Sequence, residues 1–416
     1  MKKTTSAAKK GKRSVRVLYA KTVYGKEEIR AVNEVLADPG KIVAGPRIKL
    51  FEEKISAIFG KKHGIMVNSG SAANLIALEA AGIPHGSEVI TPILTFGTTV
   101  APLVQKGLVP VFVDVEPGTY VIDVKKIEAL ITPKTKAFMI PSLIGNLPDF
   151  VALKKLADKY ECILIEDSCD TLGASFAGKP TGYYSHATTT SFYASHIITA
   201  AGAGGMVCFN DAALARRAKV MANWGRESTM FGFYEKSEEI KKRFAGKLDG
   251  ETYDAKFLFT EIGYNFQATE LQGAFALEQL KRLAKLKAAR KKNFASLYKF
   301  FKSYERFFIL PKHDPRAEVV WLAFPLTLQA NLPFSRKDIT EYLERHDVQT
   351  RPVFTGNILK QPAFQNIEHR VSAEGYPVAD YVMKNGFLIG CHHALTIEEI
   401  EYLKDTIAGF LRPFLS

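Results

Sequence analysis

Between Glu88 and Ile165 the chain repeats one pattern: Val89-Ile90-Thr91-Pro92, then Val109-Pro110-Val111-Phe112-Val113, then Ala137-Phe138-Met139-Ile140, then Cys162-Ile163-Leu164-Ile165. Segments with helical apolar spacing lie between these runs, at Thr98 to Gln105, Val124 to Leu130 and Phe150 to Tyr160. Short apolar runs alternating with helices predict an α/β fold, a mostly parallel sheet covered on both faces. In such sheets ligands collect outside the carboxyl ends of the strands. Asp167 stands just past Ile163-Leu164-Ile165, at such an end. A carboxylate there either caps its loop or faces a ligand.

Upstream, Lys26 to Leu36 has helical spacing and ends at Pro39-Gly40, and Ile48 to Phe59 repeats the pattern and stops at Gly60. Gly64-Ile65-Met66-Val67-Asn68-Ser69-Gly70-Ser71 then leads into a helix-like run, Ala72 to Ala81, closed by Gly82. A strand, a Gly-Ser turn and a helix start offer free backbone N–H groups at the positive end of a helix dipole, which suits phosphate. Such turns are also common without any ligand.

Downstream, Thr181 to Asn210 contains no Asp, Glu, Lys or Arg, in a chain that is 24% charged. Thirty uncharged residues rich in Ser, Thr, Gly and His, without a long aliphatic run, do not read as a membrane helix. They read as the buried floor of a polar site, with His196 in its middle. Ala212 to Ala222 is helical, Trp224 to Asp254 reads as a polar excursion or lid, and Thr269 to Tyr298 reads as one long helix. Val319 to Leu328, Arg336 to Glu344 and Ile397 to Phe410 supply a smaller α+β unit. The expected division is a basic disordered tail at 1–16, a large α/β domain at 17–275, and a connecting helix with a small C-terminal domain at 276–416.

The 416 residues are 47% hydrophobic, enough for a sizeable core. Cys162, Cys169, Cys208 and Cys391 follow no disulfide or metal spacing, so no metal site and a reducing cytoplasm are expected. The net charge of +13 owes about half its excess to residues 1–16, which hold seven Lys or Arg, no acid and no apolar core like that of a signal peptide. A second basic block, Lys281 to Lys292, reads as the exposed face of a helix. Neither block calls for nucleic acid or a membrane as partner, and an anionic substrate fits the remaining charge.

Taken in order, Asn68-Ser69-Gly70-Ser71-Ala72-Ala73-Asn74, Val89-Ile90-Thr91-Pro92, Glu166-Asp167-Ser168-Cys169, Ser191-Phe192-Tyr193 and Gly263-Tyr264-Asn265 resemble the sugar aminotransferases of the DegT/DnrJ/EryC1/StrS family. The resemblance runs from Tyr24 to Phe410. It implies a fold type I transferase dependent on pyridoxal 5′-phosphate (PLP), with a mostly parallel seven-stranded sheet and a smaller C-terminal α+β domain. In that family a lysine five residues after the serine of the Ser-Phe motif holds the cofactor covalently. Here His196 occupies that position. This is the mark of one branch, 3-dehydratases of nucleotide-linked 4-keto-6-deoxy sugars such as GDP-4-keto-6-deoxymannose 3-dehydratase, and Asn223-Trp224-Gly225-Arg226 and Thr350-Arg351-Pro352-Val353 resemble it too. A related dehydratase carries an iron–sulfur cluster on cysteines after the Trp-Gly-Arg motif. Glu227 to Lys247 contains no cysteine, so no iron–sulfur cluster is expected.

By resemblance, Gly70, Ser71 and Ser191 hold the cofactor phosphate, Phe96 stacks on its ring, Asp167 pairs with the ring nitrogen, and Asn265 reaches the phosphate from the partner of a homodimer. His196 is the expected catalytic residue, and Arg226 and Arg351 are substrate-binding candidates. PLP or pyridoxamine phosphate would be held non-covalently and re-aminated by glutamate, in dideoxysugar synthesis for O-antigen or lipopolysaccharide. An imidazole with an ordinary pKa of about 6.5 suits proton transfer near neutrality better than a lysine at about 10.4. Two alternatives stay open: a sugar aminotransferase with a displaced lysine, and a non-catalytic ligand sensor.

Overall fold

The computed structural model describes residues 15–415. Of the expected basic tail, all but Val15 and Arg16 lies outside the described residues. A seven-stranded sheet forms the centre, from β1 (His63–Val67), β2 (Glu88–Pro92), β3 (Val109–Val113), β4 (Thr135–Pro141), β5 (Ile163–Asp167), β6 (Ala187–Ser191) and β7 (Gly205–Phe209), in the order β1-β7-β6-β5-β4-β2-β3. The pairs from β6 to β3 are parallel, whereas β7 runs antiparallel to both of its neighbours.

The apolar runs are continuous because neighbouring residues enter different cores. Val89, Ala137, Met139 and Ile165 join the cluster shared with α3 (Gly70–Ala81) and α6 (Ala212–Met221). Ile90, Phe138, Ile140 and Leu164 join the cluster of α5 (Phe150–Lys159). Strand side chains alternate, so a strand covered on both faces has no polar side to show. The remaining helices of this part are α1 (Lys26–Leu36), α2 (Pro46–Ile58) and α4 (Gly97–Gln105). Val124 to Leu130, expected as a helix, forms two short 3-10 turns instead.

Thr269 opens α7 (Glu270–Lys281) with a capping box to Gln272. The expected single helix breaks at Arg282, and α8 (Leu283–Lys302) follows. The guanidinium of Arg282 bonds there to Glu28. A second sheet, all antiparallel, is built from β8 (Phe308–Ile309), β9 (Phe324–Leu328), β10 (Thr350–Pro352) and β11 (Gly386–Ile389) in the order β8-β9-β11-β10. It packs with α9 (Arg336–Arg345) and α11 (Ile397–Leu411), and α10 (Pro377–Asn385) precedes β11. Val17 belongs to this second core, not to the large sheet: its N–H donates to Asp347 O at 2.9 Å, and it clusters with Val348 and Leu343. No helix among the described residues is long and apolar enough to cross a membrane.

Candidate active site

Four strand ends converge. Ser69 follows β1 with extended backbone, and its hydroxyl accepts the N–H of Ala72 at 3.1 Å, capping α3. The helix therefore begins at Gly70, two residues before the periodicity places it. Asp167 ends β5 and Ser191 ends β6; Phe96 lies beyond β2, at the start of α4. Gly70, Ser71, Phe96, Asp167, Ser191 and His196 all line one cavity of about 350 Å³.

Gly70 is required by closeness. A Cβ there would lie 2.7 Å from Cys169 Sγ and 2.7 Å from Ser191 Cβ. The Gly70 and Ser71 backbone N–H groups stay open to a ligand, beside the Ser191 hydroxyl, while those of Ala72 and Ala73 are taken by Ser69. Gly70→Ala is expected to weaken binding of a phosphate-bearing ligand by roughly ten- to a hundredfold, the value of a displaced charge-assisted hydrogen bond of about 1.5–3 kcal/mol. Fluorescence titration with PLP measures this. Unchanged affinity would place the phosphate elsewhere.

Strand alternation separates Glu166 from Asp167. The Glu166 carboxylate points away from the cavity and is bonded by Ser168, Ser185 and Thr188 hydroxyls. Asp167 faces the cavity, and its Oδ2 accepts from Asn74 Nδ2 at 2.9 Å and Thr99 Oγ1 at 2.8 Å, while Oδ1 accepts the Cys169 N–H at 3.2 Å. A buried carboxylate this well oriented suits a cationic N–H of a bound ring. Phe96 is half-exposed at the rim, with the Phe354 ring edge-on at 5.8 Å.

His196 has no lysine neighbour in the cavity among the described residues. Its Nδ1 is buried without a hydrogen-bond partner and lies 3.9 Å from Asp170 Oδ1. Burial, and secondly the Arg290 guanidinium, push its pKa down to about 4. The imidazole is therefore neutral at physiological pH. It is available as a base, and it can serve as an acid only with a proton it has just taken. That corrects the expectation of ordinary titration near 6.5.

Asp170 and Arg290 were not singled out in the sequence. Burial raises the Asp170 carboxyl to about 7, against the opposing Ile144 N–H bond. Arg290, 1% exposed, is the largest fully buried side chain. The block Lys281 to Lys292 is thus not simply an exposed basic face. The signal was present: Leu286, Arg290, Asn293, Leu297 and Phe301 are the buried residues of α8 at helical spacing.

Three expected residues lie outside this cavity. Asn265 is exposed and forms an isolated bridge with Asn223. Arg226 stacks on Trp224 at 4.2 Å and lines another cavity, of about 770 Å³. Arg351 donates to Thr350 O at 2.6 Å and lies 5.5 Å from the ring of Tyr19, which itself lines the His196 cavity.

Comparison with known proteins agrees with this geometry. The model of the DegT/DnrJ/EryC1/StrS aminotransferase family matches residues 23–408. The lipopolysaccharide biosynthesis protein RfbH of Salmonella typhimurium is 36% identical over 398 residues, 93% of this chain and 90% of the relative. A dTDP-4-dehydro-2,6-dideoxy-D-glucose 3-dehydratase of Saccharopolyspora spinosa is 35% identical over 381 residues, 89% of this chain and 81% of the relative. Among solved structures, GDP-4-keto-6-deoxymannose-3-dehydratase with a trapped PLP-glutamate geminal diamine is 28% identical with a TM-score of 0.81, covering 94% of this chain and 99% of that one. The strand-end cavity and the matched sequence lead to one assignment: the chain belongs to the DegT/DnrJ/EryC1/StrS aminotransferase family.

Proposed function

We propose that the chain is a cytoplasmic 3-dehydratase that takes a nucleotide-linked 4-keto-6-deoxy sugar to a 3,6-dideoxy-4-keto sugar, using PLP or pyridoxamine phosphate held non-covalently. The observation that carries this reading is His196 in the cavity with no lysine lining it among the described residues. Similarity to two 3-dehydratases supports it. The same observation weighs against an aminotransferase with a displaced lysine, and the open, pre-bonded Asp167 carboxylate weighs against a mere sensor.

When bound, the cofactor supplies the amino group that joins the sugar's 4-keto carbon and a ring able to take up an electron pair. The Gly70 and Ser71 N–H groups and the Ser191 hydroxyl hold its phosphate. Phe96 covers its ring, and Asp167 keeps a proton on the ring nitrogen. With the cofactor bound, His196 would take a proton at the cofactor's 4′ carbon and give it to the departing 3-hydroxyl, which would leave as water. Glutamate would be the amino donor, and Arg351, 5.5 Å from the ring of cavity-lining Tyr19, would meet an anionic group of a substrate, whereas Arg226 faces the separate cavity of about 770 Å³. Asn265, exposed on its own chain, serves the cavity of the partner in a homodimer.

The test incubates the protein with glutamate and GDP-, CDP-, UDP- or dTDP-linked 4-keto-6-deoxy sugars and measures the 3-deoxy product and ammonia. Borohydride treatment followed by intact-mass analysis is expected to leave no cofactor on the protein. A stable adduct would point to another lysine and remove the basis of the proposal.

A further inference from the structure

Arg290 projects from α8 behind the His196 loop. Its Nη1 donates to Leu322 O at 2.8 Å, and its Nη2 to His196 O at 3.3 Å and Ser195 O at 3.5 Å. The Leu322 N–H donates to Ile144 O at 2.8 Å, and the Ile144 N–H donates to Asp170 Oδ2, also at 2.8 Å. Ile144 does this from left-handed backbone, φ 59°. That conformation is costly for a β-branched residue and persists only where its surroundings impose it. Beside it stands Gly145 at φ 90°, where a Cβ would meet Val320 O at 2.4 Å. The free oxygen of Asp170, Oδ1, then faces His196 Nδ1 at 3.9 Å.

These contacts form a closed circuit. Arg290 holds the backbone of residue 196 from behind. Leu322, Ile144 and Asp170 carry the same framework round to its side chain. Nε2 makes no hydrogen bond and is not among the fully buried atoms, so it is the nitrogen left for the cavity. We propose that Asp170 is the positioning residue of His196: its carboxylate keeps the proton on Nδ1 and turns an unprotonated Nε2 toward the reacting atoms. At 3.9 Å the carboxylate acts through charge, since a hydrogen bond needs a shorter approach. The charged and titratable groups around the Asp170–His196 pair are Arg290 from α8, Asp167 from β5, Cys169 beside Asp170, Tyr193 with its ring 6.3 Å from the imidazole, and Tyr19 from the N-terminal segment. The inference rests on His196 as the proton-transfer group of the proposed reaction.

Nitrogen NMR of ¹⁵N-histidine-labelled, cofactor-free full-length protein at pH 8 tests it, with the His196 signal assigned by its loss in His196→Asn. The expected wild-type tautomer carries the proton on Nδ1. In Asp170→Asn the amide oxygen can keep the Ile144 N–H, and the NH₂ group then turns the positive end of its dipole toward Nδ1 in place of the carboxylate's negative charge. The proton should move to Nε2, and elimination should fall by on the order of a hundred- to ten-thousand-fold, as expected when a base is held in the wrong tautomer. Asp170 lines the same cavity as Gly70, Ser71 and Asp167, so the tautomer, read in the cofactor-free protein, is the deciding measurement. A wild-type His196 protonated on Nε2 would overturn the proposal, and so would Asp170→Asn retaining the wild-type tautomer. If Asp170→Asn fails to fold, the wild-type tautomer alone decides. A tautomer shift in a protein that turns over no nucleotide sugar would retain the positioning role and dismiss the dehydratase reading.

Discussion

We expect His196→Asn to lower formation of the 3-deoxy sugar by on the order of a hundred- to ten-thousand-fold, the usual worth of a positioned acid–base group. Asparagine roughly preserves the shape of the side chain and cannot relay a proton. The loop should survive, because Arg290 grips the carbonyls of Ser195 and His196, and Thr22 Oγ1 donates to Ala194 O at 2.8 Å. None of these contacts uses the imidazole. Cofactor affinity should survive as well, since the phosphate cradle, Phe96 and Asp167 are separate from residue 196. His196→Lys is the informative companion. An amine buried beside Arg290 would have its pKa lowered and be nucleophilic, so it should capture the cofactor in a form that borohydride fixes to the protein. Single-turnover elimination, with glutamate supplied, distinguishes the outcomes. A wild-type rate in His196→Asn would make the histidine structural.

The second large effect is expected at Asp167. Asp167→Asn removes the charge that the proposed function sets opposite the ring nitrogen. Loss of one partner from a buried, hydrogen-bonded charge pair costs about 2–5 kcal/mol, a loss in cofactor affinity of roughly thirty- to several-thousand-fold. The cofactor-free protein should be destabilised too. Three donors converge on this carboxylate, from Asn74, Thr99 and Cys169. An asparagine must turn its NH₂ group toward at least one of them, which costs about 1–3 kcal/mol. Denaturant unfolding of the cofactor-free protein separates this term from the binding loss, which absorbance titration with PLP reads. If affinity is unchanged while stability falls, Asp167 is a structural carboxylate and the ring nitrogen is met by another group.

What the sequence by itself determined is local or periodic. The large sheet follows from apolar runs of about five residues, because a strand buried on both faces has no polar alternation to obscure it. The helix after the Gly-Ser turn follows from the run Ala72 to Ala81 and from Gly82, which closes it at φ 63°, although the Ser69 cap starts it at Gly70. His196 stood out by its place within thirty uncharged residues and by the spacing from Ser191. Gly70, Ser71, Phe96, Asp167, Ser191 and His196 are named one by one through the family resemblance, and the structure brings these six to one cavity. Their roles there belong to the proposal.

Tertiary structure alone decided what surrounds the histidine. Arg290 looked like one more cation in a basic helix, and its burial depends on carbonyls 94, 95 and 32 residues away in the chain. Asp170 carried no sequence signal of its own. Its position beside Nδ1 depends on Ile144, held in a strained conformation by a segment near residue 322. Val17 joined the second core through Asp347 and Val348 for the same kind of reason. Periodicity shows which face of an element is buried. It carries no information about which distant backbone groups meet a charged side chain on that face, and those partners determine whether the charge can be buried at all.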